Sequence, residues 1–146
     1  MAMKGELEFA IDSFKIDRFA SNNPKSTVRK ERLNFQIQHL FKIDAVSHIV
    51  QVGFRVQVME SKQSKHEIAA IETITSFKIK GISSENFENI PEHLLVTFLS
   101  IAYSTTRGAL IAKSQGTVVG EVPLPLINPS EVIRRMKESQ VLADSN

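Results

Sequence analysis

The chain has 146 residues, of which 42% are hydrophobic and 23% charged, a composition typical of one globular domain. Its 18 basic and 16 acidic residues leave a net charge of only +2, which does not favour nucleic-acid binding. No cysteine is present, which excludes disulfides and thiolate chemistry and fits a reducing compartment.

The N-terminal segment, MAMKGELEFAIDSF, carries acidic residues where a signal peptide needs an apolar stretch. No run of residues reaches the roughly 18 apolar positions of a membrane span. The sequence therefore predicts a cytoplasmic protein without a membrane span. It forms a single domain, 1–146, which we expect to be ordered over about residues 6–139 and frayed beyond.

Alternating apolar and polar residues predict four β-strands. The clearest is the third, residues 49–60, and the second and fourth cover residues 33–44 and 66–80. In the first strand, residues 6–19, the alternation shifts by one position near Asp12. A side-chain period of two cannot absorb this shift, which therefore predicts a bulge.

The connections between the four strands contain no helical pattern. Because parallel strands need long crossovers, the sequence predicts an antiparallel, meander-like sheet. Residues 21–32 form a polar, basic loop, interpreted as a solvated connection, with phosphate contact as the less favoured alternative. Residues 61–65 are interpreted as a polar hairpin connection.

A long helix follows the strands. Asn89 is a candidate N-cap, Pro91 suits the first turn, and Gly116 is a candidate stop. The apolar stripe of this helix is wider than one sheet face requires, which predicts a second contact with another copy of the same helix. The residues predicted at this interface are Leu95, Phe98, Leu99, Ala102 and Thr106.

The segment GEVPLPL, residues 120–126, is predicted to be extended because its prolines exclude a helix. A short second helix then begins near Asn128 or Ser130 and ends near residue 139. An exposed apolar strip often marks a binding site for another chain. From the sequence alone, the segment could equally pack down as a lid over the core.

The sequence lacks the residue patterns that catalysis requires. The four histidines do not have zinc-ligand spacing, and no nucleophile elbow or phosphate-binding glycine loop occurs. Glu72 lies out of phase with the apolar residues of its strand and is interpreted as a surface residue. The sequence therefore predicts a protein that is not an enzyme and has no metal or cofactor.

The order of these elements resembles the SecB-like export-chaperone family over about residues 7–138. The matching segments are Phe9-x-Ile11, IVQVGFRVQVM at 49–59, IAYSTTRGA at 101–109 and LPLIN at 124–128. The resemblance implies an α+β fold. In this fold a four-stranded antiparallel sheet packs on a long helix, followed by an extended crossover and a short C-terminal helix.

The resemblance also implies a function and a site. Members of the family are ATP-independent holdases, chaperones that bind unfolded or exported polypeptides, and they assemble as homotetramers, dimers of dimers joined through the long helix. Their clients occupy an apolar groove between the sheet, the crossover and the second helix, where backbone pairing along an exposed edge would add hydrogen bonds. The groove residues, by position, are Phe35, Phe54, Phe77, Val122, Leu124, Leu126, Val132 and Ile133.

Two departures from export SecB proteins point to a divergent branch of the family. Export members dock the SecA motor through acidic residues, whereas this chain has Arg18 and Asn22 at those positions and a pI of about 9.0. The segment between Gly108 and Leu124 is also longer. The alternative function is therefore a scaffold or dedicated chaperone for one partner, for example of a toxin–antitoxin system, without SecA docking.

Overall fold

A computed structural model describes residues 7–22, 29–60 and 66–145, with side chains through residue 138 except at residue 88. The predictions for the centre of the basic loop and for the 61–65 connection lie outside these residues. The strands are β1 (Glu8–Ser21), β2 (Asn34–Asp44), β3 (Ile49–Met59) and β4 (Glu67–Lys80), and the helices are α1 (Glu92–Lys113) and α2 (Pro129–Ser145). Short 3₁₀ helices cover Lys30–Arg32, Ser84–Asn89 and Val118–Glu121.

The four strands form one antiparallel sheet in the order β1-β4-β3-β2. This sheet, packed on α1, confirms the predicted α+β architecture. The meander prediction holds for β2, β3 and β4 but is wrong for β1, which pairs with β4. β4 is buried along most of its length and therefore needs a neighbour on both sides, and β1 matches its length of 14 residues.

β1 contains the bulge that the shifted alternation predicts. The register with β4 shifts between Ile11 and Ser13, and a second shift, which the sequence analysis missed, lies between Ile16 and Arg18. Each bulge returns the next apolar side chain to the inner face of the sheet. The inner-face residues of β1 are therefore Phe9, Ile11, Phe14, Ile16 and Phe19.

The hairpin between β2 and β3 closes on Asp44. Its carboxylate accepts the backbone N–H groups of Val46 at 3.1 Å and Ser47 at 3.2 Å. Hydrogen bonds from Ser47 lower the pKa of the Asp44 carboxyl. The turn holds β2 and β3 in a register that runs without a break over all of β2.

The core lies between the inner faces of β3 and β4 and helix α1. The Phe98 ring stacks on Phe77 with centroids 4.3 Å apart, and Phe9 meets Phe98 edge-on at 5.0 Å. All five residues of the predicted helix interface are buried within this single chain, namely Leu95, Phe98, Leu99, Ala102 and Thr106. A contact between two copies through α1 stays a prediction, and it would first meet the outward side, where Ser104 and Gly108 are exposed.

α1 starts later than the sequence predicts. Asn89 ends a 3₁₀ helix rather than capping α1, and Ile90 is extended because it precedes a proline. α1 therefore begins at Glu92, with Pro91 as its N-cap and no side-chain capping bond. It ends at Lys113, and Gly116 adopts a positive φ of 85° in the turn that follows.

Within the described part of the chain, α1 is the one helix long and apolar enough to cross a membrane, judged by length and composition. Its apolar face is instead covered by the protein's own sheet. Thr97, Ser100 and Thr105 donate their hydroxyls to the carbonyls four residues earlier, at 2.8–2.9 Å. These bonds satisfy the hydroxyls within the helix.

The crossover between the helices is partly helical at its start. The 3₁₀ helix Val118–Glu121 includes the first two residues of the segment predicted to be extended, and residues 122–128 continue without helix. Asn128 caps α2 as predicted, since its side-chain oxygen accepts the backbone N–H of Glu131 at 3.2 Å. α2 continues to Ser145, past the predicted end, and packs on α1 with Ile133 fully buried.

A polar pair in the core gives a first prediction. The Thr106 hydroxyl lies 2.7 Å from that of Thr73 and 2.7 Å from the Ala102 carbonyl, whereas the buried Thr75 hydroxyl has no hydrogen-bond partner among the described residues. We expect Thr106→Val to lower the free energy of unfolding by about 1–3 kcal/mol, because it leaves the buried Thr73 hydroxyl without its hydrogen-bond partner. Thr75→Val should leave stability unchanged or raise it by up to about 1 kcal/mol. Urea unfolding measures the free energy of unfolding of the two variants. Equal losses in both would contradict a stabilising role of the hydrogen bond between Thr73 and Thr106.

Candidate functional site

A strip of side chains on the inner face of β2 lies beside the part of the sheet that α1 covers, because α1 packs on β3 and β4. Phe35, Ile37 and Phe41 are half-buried, His39 is exposed, and Ile43 is 41% exposed. These five side chains share one face because they alternate along the strand. We call them the β2 strip.

Tyr103 of α1 links the crossover to β3, the strand that pairs with β2. Its ring lies 5.3 Å from Phe54 of β3, which is directly opposite His39 of the β2 strip. Its hydroxyl donates a hydrogen bond to the carbonyl of Pro125 in the crossover. Burial raises the pKa of the Tyr103 hydroxyl, which is protonated at neutral pH even at its ordinary pKa of 10.

Hydrogen bonds to Ser114 fix the start of the crossover. The Ser114 carbonyl accepts the backbone N–H of Thr117 at 3.0 Å and the Thr117 hydroxyl at 2.8 Å. A Cβ atom on Gly120 would lie 2.5 Å from this carbonyl oxygen, so the close approach requires glycine. The crossover is therefore anchored at Ser114 and again at Tyr103.

The residues predicted to line the client groove have unequal exposure. Leu126 is 83% exposed, whereas Leu124 in the same segment is 3% exposed. Phe77 lies beneath α1 against Phe98 rather than next to the strip. The buried members are Phe54, Phe77, Leu124 and Ile133, and the partly exposed ones are Phe35, Val122 and Val132. The groove itself stays a prediction.

Sequence reasoning selected only Phe35 from β2. Phe35 was chosen by position from the family resemblance, and the alternation of its strand extends to Ile37, Phe41 and Ile43, which therefore could have been chosen. The role of Tyr103 had no signal in the sequence, because its partner is a backbone carbonyl 22 residues away.

His39 is the titratable group of the β2 strip. Its ring lies 6.4 Å from that of Phe41 and 6.5 Å from that of Phe54. Burial lowers the pKa of this imidazole from its ordinary value of 6.5. The strip is therefore uncharged at neutral pH.

The opposite face of the sheet is open and carries mixed charge. Glu72 lies there as predicted and pairs with Arg18 at 3.3 Å. The side-chain amide of Asn22 donates to Glu67 at 3.2 Å. Arg18 and Asn22, which the resemblance matched to acidic positions of export SecB proteins, therefore bind carboxylates of this chain's own sheet.

Among the described residues, no group of three histidine, aspartate or glutamate side chains is placed to hold a metal ion. The exposed and half-buried apolar side chains of the β2 strip are suited to contact with other apolar side chains.

Comparisons with known proteins bear on the fold. No model of a known protein family and no curated protein matches the chain. One solved structure that resembles it is a SecB-like chaperone of Mycobacterium tuberculosis in complex with a ChAD peptide from the HigA1 antitoxin. The two superpose with a TM-score of 0.51 at 11% identity, over 82% of this chain and 90% of that one.

The fold is SecB-like. A second structure, a protein of unknown function from Streptococcus agalactiae, covers 84% of this chain and 98% of its own at 12% identity. Its TM-score of 0.32 is too low to bear on the fold. The SecB-like fold here consists of the antiparallel sheet, the long α1, the crossover and the C-terminal α2.

Proposed function

We propose that this protein is an ATP-independent chaperone that binds unfolded polypeptides along the β2 strip and the adjacent crossover. The observation that carries the proposal is the apolar strip itself, which lies outside the strands that α1 covers. The SecB-like fold supports it. The cytoplasmic location and the assembly of copies into a tetramer belong to the same proposal.

The physical basis is apolar burial. Each square ångström of apolar surface that a client buries contributes about 25 cal/mol, and this term does not depend on a defined client sequence. An unfolded chain can lay side chains along the strip without folding first. Such binding needs no nucleotide and no cofactor.

Light scattering of an aggregating unfolded protein tests the proposal. We expect this protein to suppress the aggregation near stoichiometric amounts, equally with and without ATP. A folded protein of the same size and charge serves as control. No suppression at a stoichiometric amount would contradict a holdase.

A second candidate is a chaperone dedicated to one partner, and the antitoxin peptide bound to the M. tuberculosis chaperone favours it. The internal pairing of Arg18 and Asn22 supports a function without SecA docking. Capture of one specific polypeptide, without affinity for a panel of unfolded proteins, would favour this candidate over a general export holdase.

His39 predicts a pH dependence of client binding. A client that covers the β2 strip buries the imidazole further, which disfavours its charged form. Because the pKa of free His39 is already below 6.5, affinity should hold above that pH and fall as the pH drops through the lowered pKa. Titration of a fluorescent apolar peptide between about pH 7.5 and 5 measures this. A His39→Leu variant should lose the dependence, and an unchanged profile would contradict the role of His39.

A further inference from the structure

The face of the sheet that points away from α1 has a depression at Gly53, in the middle of β3. Gly53 lies directly opposite Leu40 of β2 and Ile74 of β4. Residues paired across strands share a face, so these two side chains flank a position that has no side chain of its own. The depression has a volume of about 550 Å³. Its centre is therefore an open space between two apolar side chains.

Packing within the chain does not require glycine at this position. A Cβ atom on Gly53 would lie 3.6 Å from the Thr73 carbonyl oxygen and 3.8 Å from the Leu40 Cβ, which are ordinary contact distances, and its φ is not positive. Glycine inside a strand is unfavourable, because folding costs it more conformational freedom than other residues. Glycine in a strand often marks a place that another molecule approaches closely. The space above Gly53 is therefore a candidate binding site.

The walls of the depression show what size of ligand it suits. Leu40 is 67% exposed, and Ile74 is half-buried. A depression with so exposed a wall is shallow. Small molecules bind in concave sites that bury most of their surface, which this depression cannot do. It is suited to one apolar side chain of a larger partner that continues across the sheet.

Three charged side chains line the depression, and two of them are paired within the chain. The carboxylate of Glu72 pairs with Arg18 at 3.3 Å, and that of Asp17 pairs with Lys15 at 3.4 Å. The third, Arg55, lies two residues along β3 from the glycine and is exposed. Its guanidinium makes no ion pair with any described residue. A carboxylate on the partner would complement this free cation.

We propose that the depression binds a protein partner through an extended segment that has an apolar side chain two positions from an acidic one. The apolar side chain fills the space above Gly53, and the carboxylate pairs with Arg55. Alternate side chains of an extended segment lie on one side, roughly 7 Å apart. This spacing matches the two-residue separation of Gly53 and Arg55 along β3.

The depression and the β2 strip lie on opposite faces of the sheet, so this site is separate from the one in the proposed function. A partner bound at the depression leaves the strip open to a client. Substitutions at the depression should therefore weaken partner binding and leave the suppression of client aggregation unchanged.

The probe is a synthetic peptide with the central sequence Glu-Ser-Phe-Ser-Glu, which places an acid two positions from phenylalanine in either chain direction. The matched control, Ser-Glu-Phe-Glu-Ser, has the same composition but points its acids to the opposite side when extended. NMR titration of the full chain measures both affinities through the backbone amides of Leu40, Gly53 and Ile74. We expect the control peptide to bind about fivefold more weakly than the probe.

Two variants test the two halves of the site. Gly53→Val should weaken binding of the probe at least about tenfold, because its side chain occupies the space that phenylalanine needs. Valine suits a strand, so this variant should unfold at the same temperature as the natural chain or higher. Arg55→Gln should weaken the probe about fivefold, to the level of the control peptide. Gln36→Val, on the same face of β2 but outside the depression, is the matched control and should bind the probe normally.

Four outcomes would overturn the inference. They are no binding of the probe, equal binding of the two peptides, full binding by Gly53→Val, and loss of aggregation suppression in Gly53→Val, which would make the depression part of the client site. Self-association of the natural chain that Gly53→Val abolishes would overturn it as well, since a second copy would then occupy this face. A chain that binds the probe as expected but suppresses no aggregation would contradict the proposed function alone.

Discussion

Replacing Phe98 by alanine is expected to lower the free energy of unfolding by about 3–5 kcal/mol. Its ring is 0% exposed, stacks on Phe77 and contacts Phe9 edge-on. The substitution removes these contacts and leaves a cavity between α1 and the sheet. A loss of this size is a large part of the roughly 5–15 kcal/mol that stabilises a domain.

Urea unfolding followed by circular dichroism measures the effect. Ser104→Ala on the exposed side of α1 is the matched control and should change stability by less than about 0.5 kcal/mol. If the loss at Phe98 appears only at high protein concentration, Phe98 acts between copies. A loss below about 1 kcal/mol would contradict the packing in the core.

Replacing Ile37 by serine is expected to weaken the suppression of client aggregation by about tenfold. The half-buried side chain lies in the middle of the β2 strip, and losing the apolar contact of its exposed part with a client forfeits about 1.4 kcal/mol. The neighbouring Gln36 faces the other side of the sheet, so Gln36→Ser is the matched control. It should retain full suppression.

The dose of each variant that halves the light scattering of an aggregating client measures this effect. Thermal unfolding of both variants separates a binding defect from a folding defect, because Ile37 also lies opposite the buried Val56. Equal activity of folded Ile37→Ser and Gln36→Ser would place client binding elsewhere on the protein.

The strands could be predicted because each has its own local pattern. Alternation identified all four, and the phase shift near Asp12 located the first bulge. The cap of α1 was misplaced, because Pro91 keeps Ile90 extended and moves the helix start to Glu92. Asn128, one of the two candidate caps of α2, is the cap, and it bonds to a backbone group only three residues away.

The candidate site was less predictable. Phe54 and Phe77 have the same pattern of alternation, yet Phe54 lies beside Tyr103 and Phe77 lies under Phe98. Helix position on the sheet decides this difference, and no local pattern encodes it. The width of the α1 stripe has a similar explanation, since its residues contact two strands of the sheet and α2.

The sequence alone determined the set of elements, the α+β class and the resemblance to a SecB-like fold, because propensity and periodicity act over a few residues. Only the tertiary structure decided that β1 crosses to β4, which leaves β2 as an edge. That choice depends on which faces can be buried together across the whole chain. It also places the β2 strip outside the strands that α1 covers, the feature on which the proposed function rests.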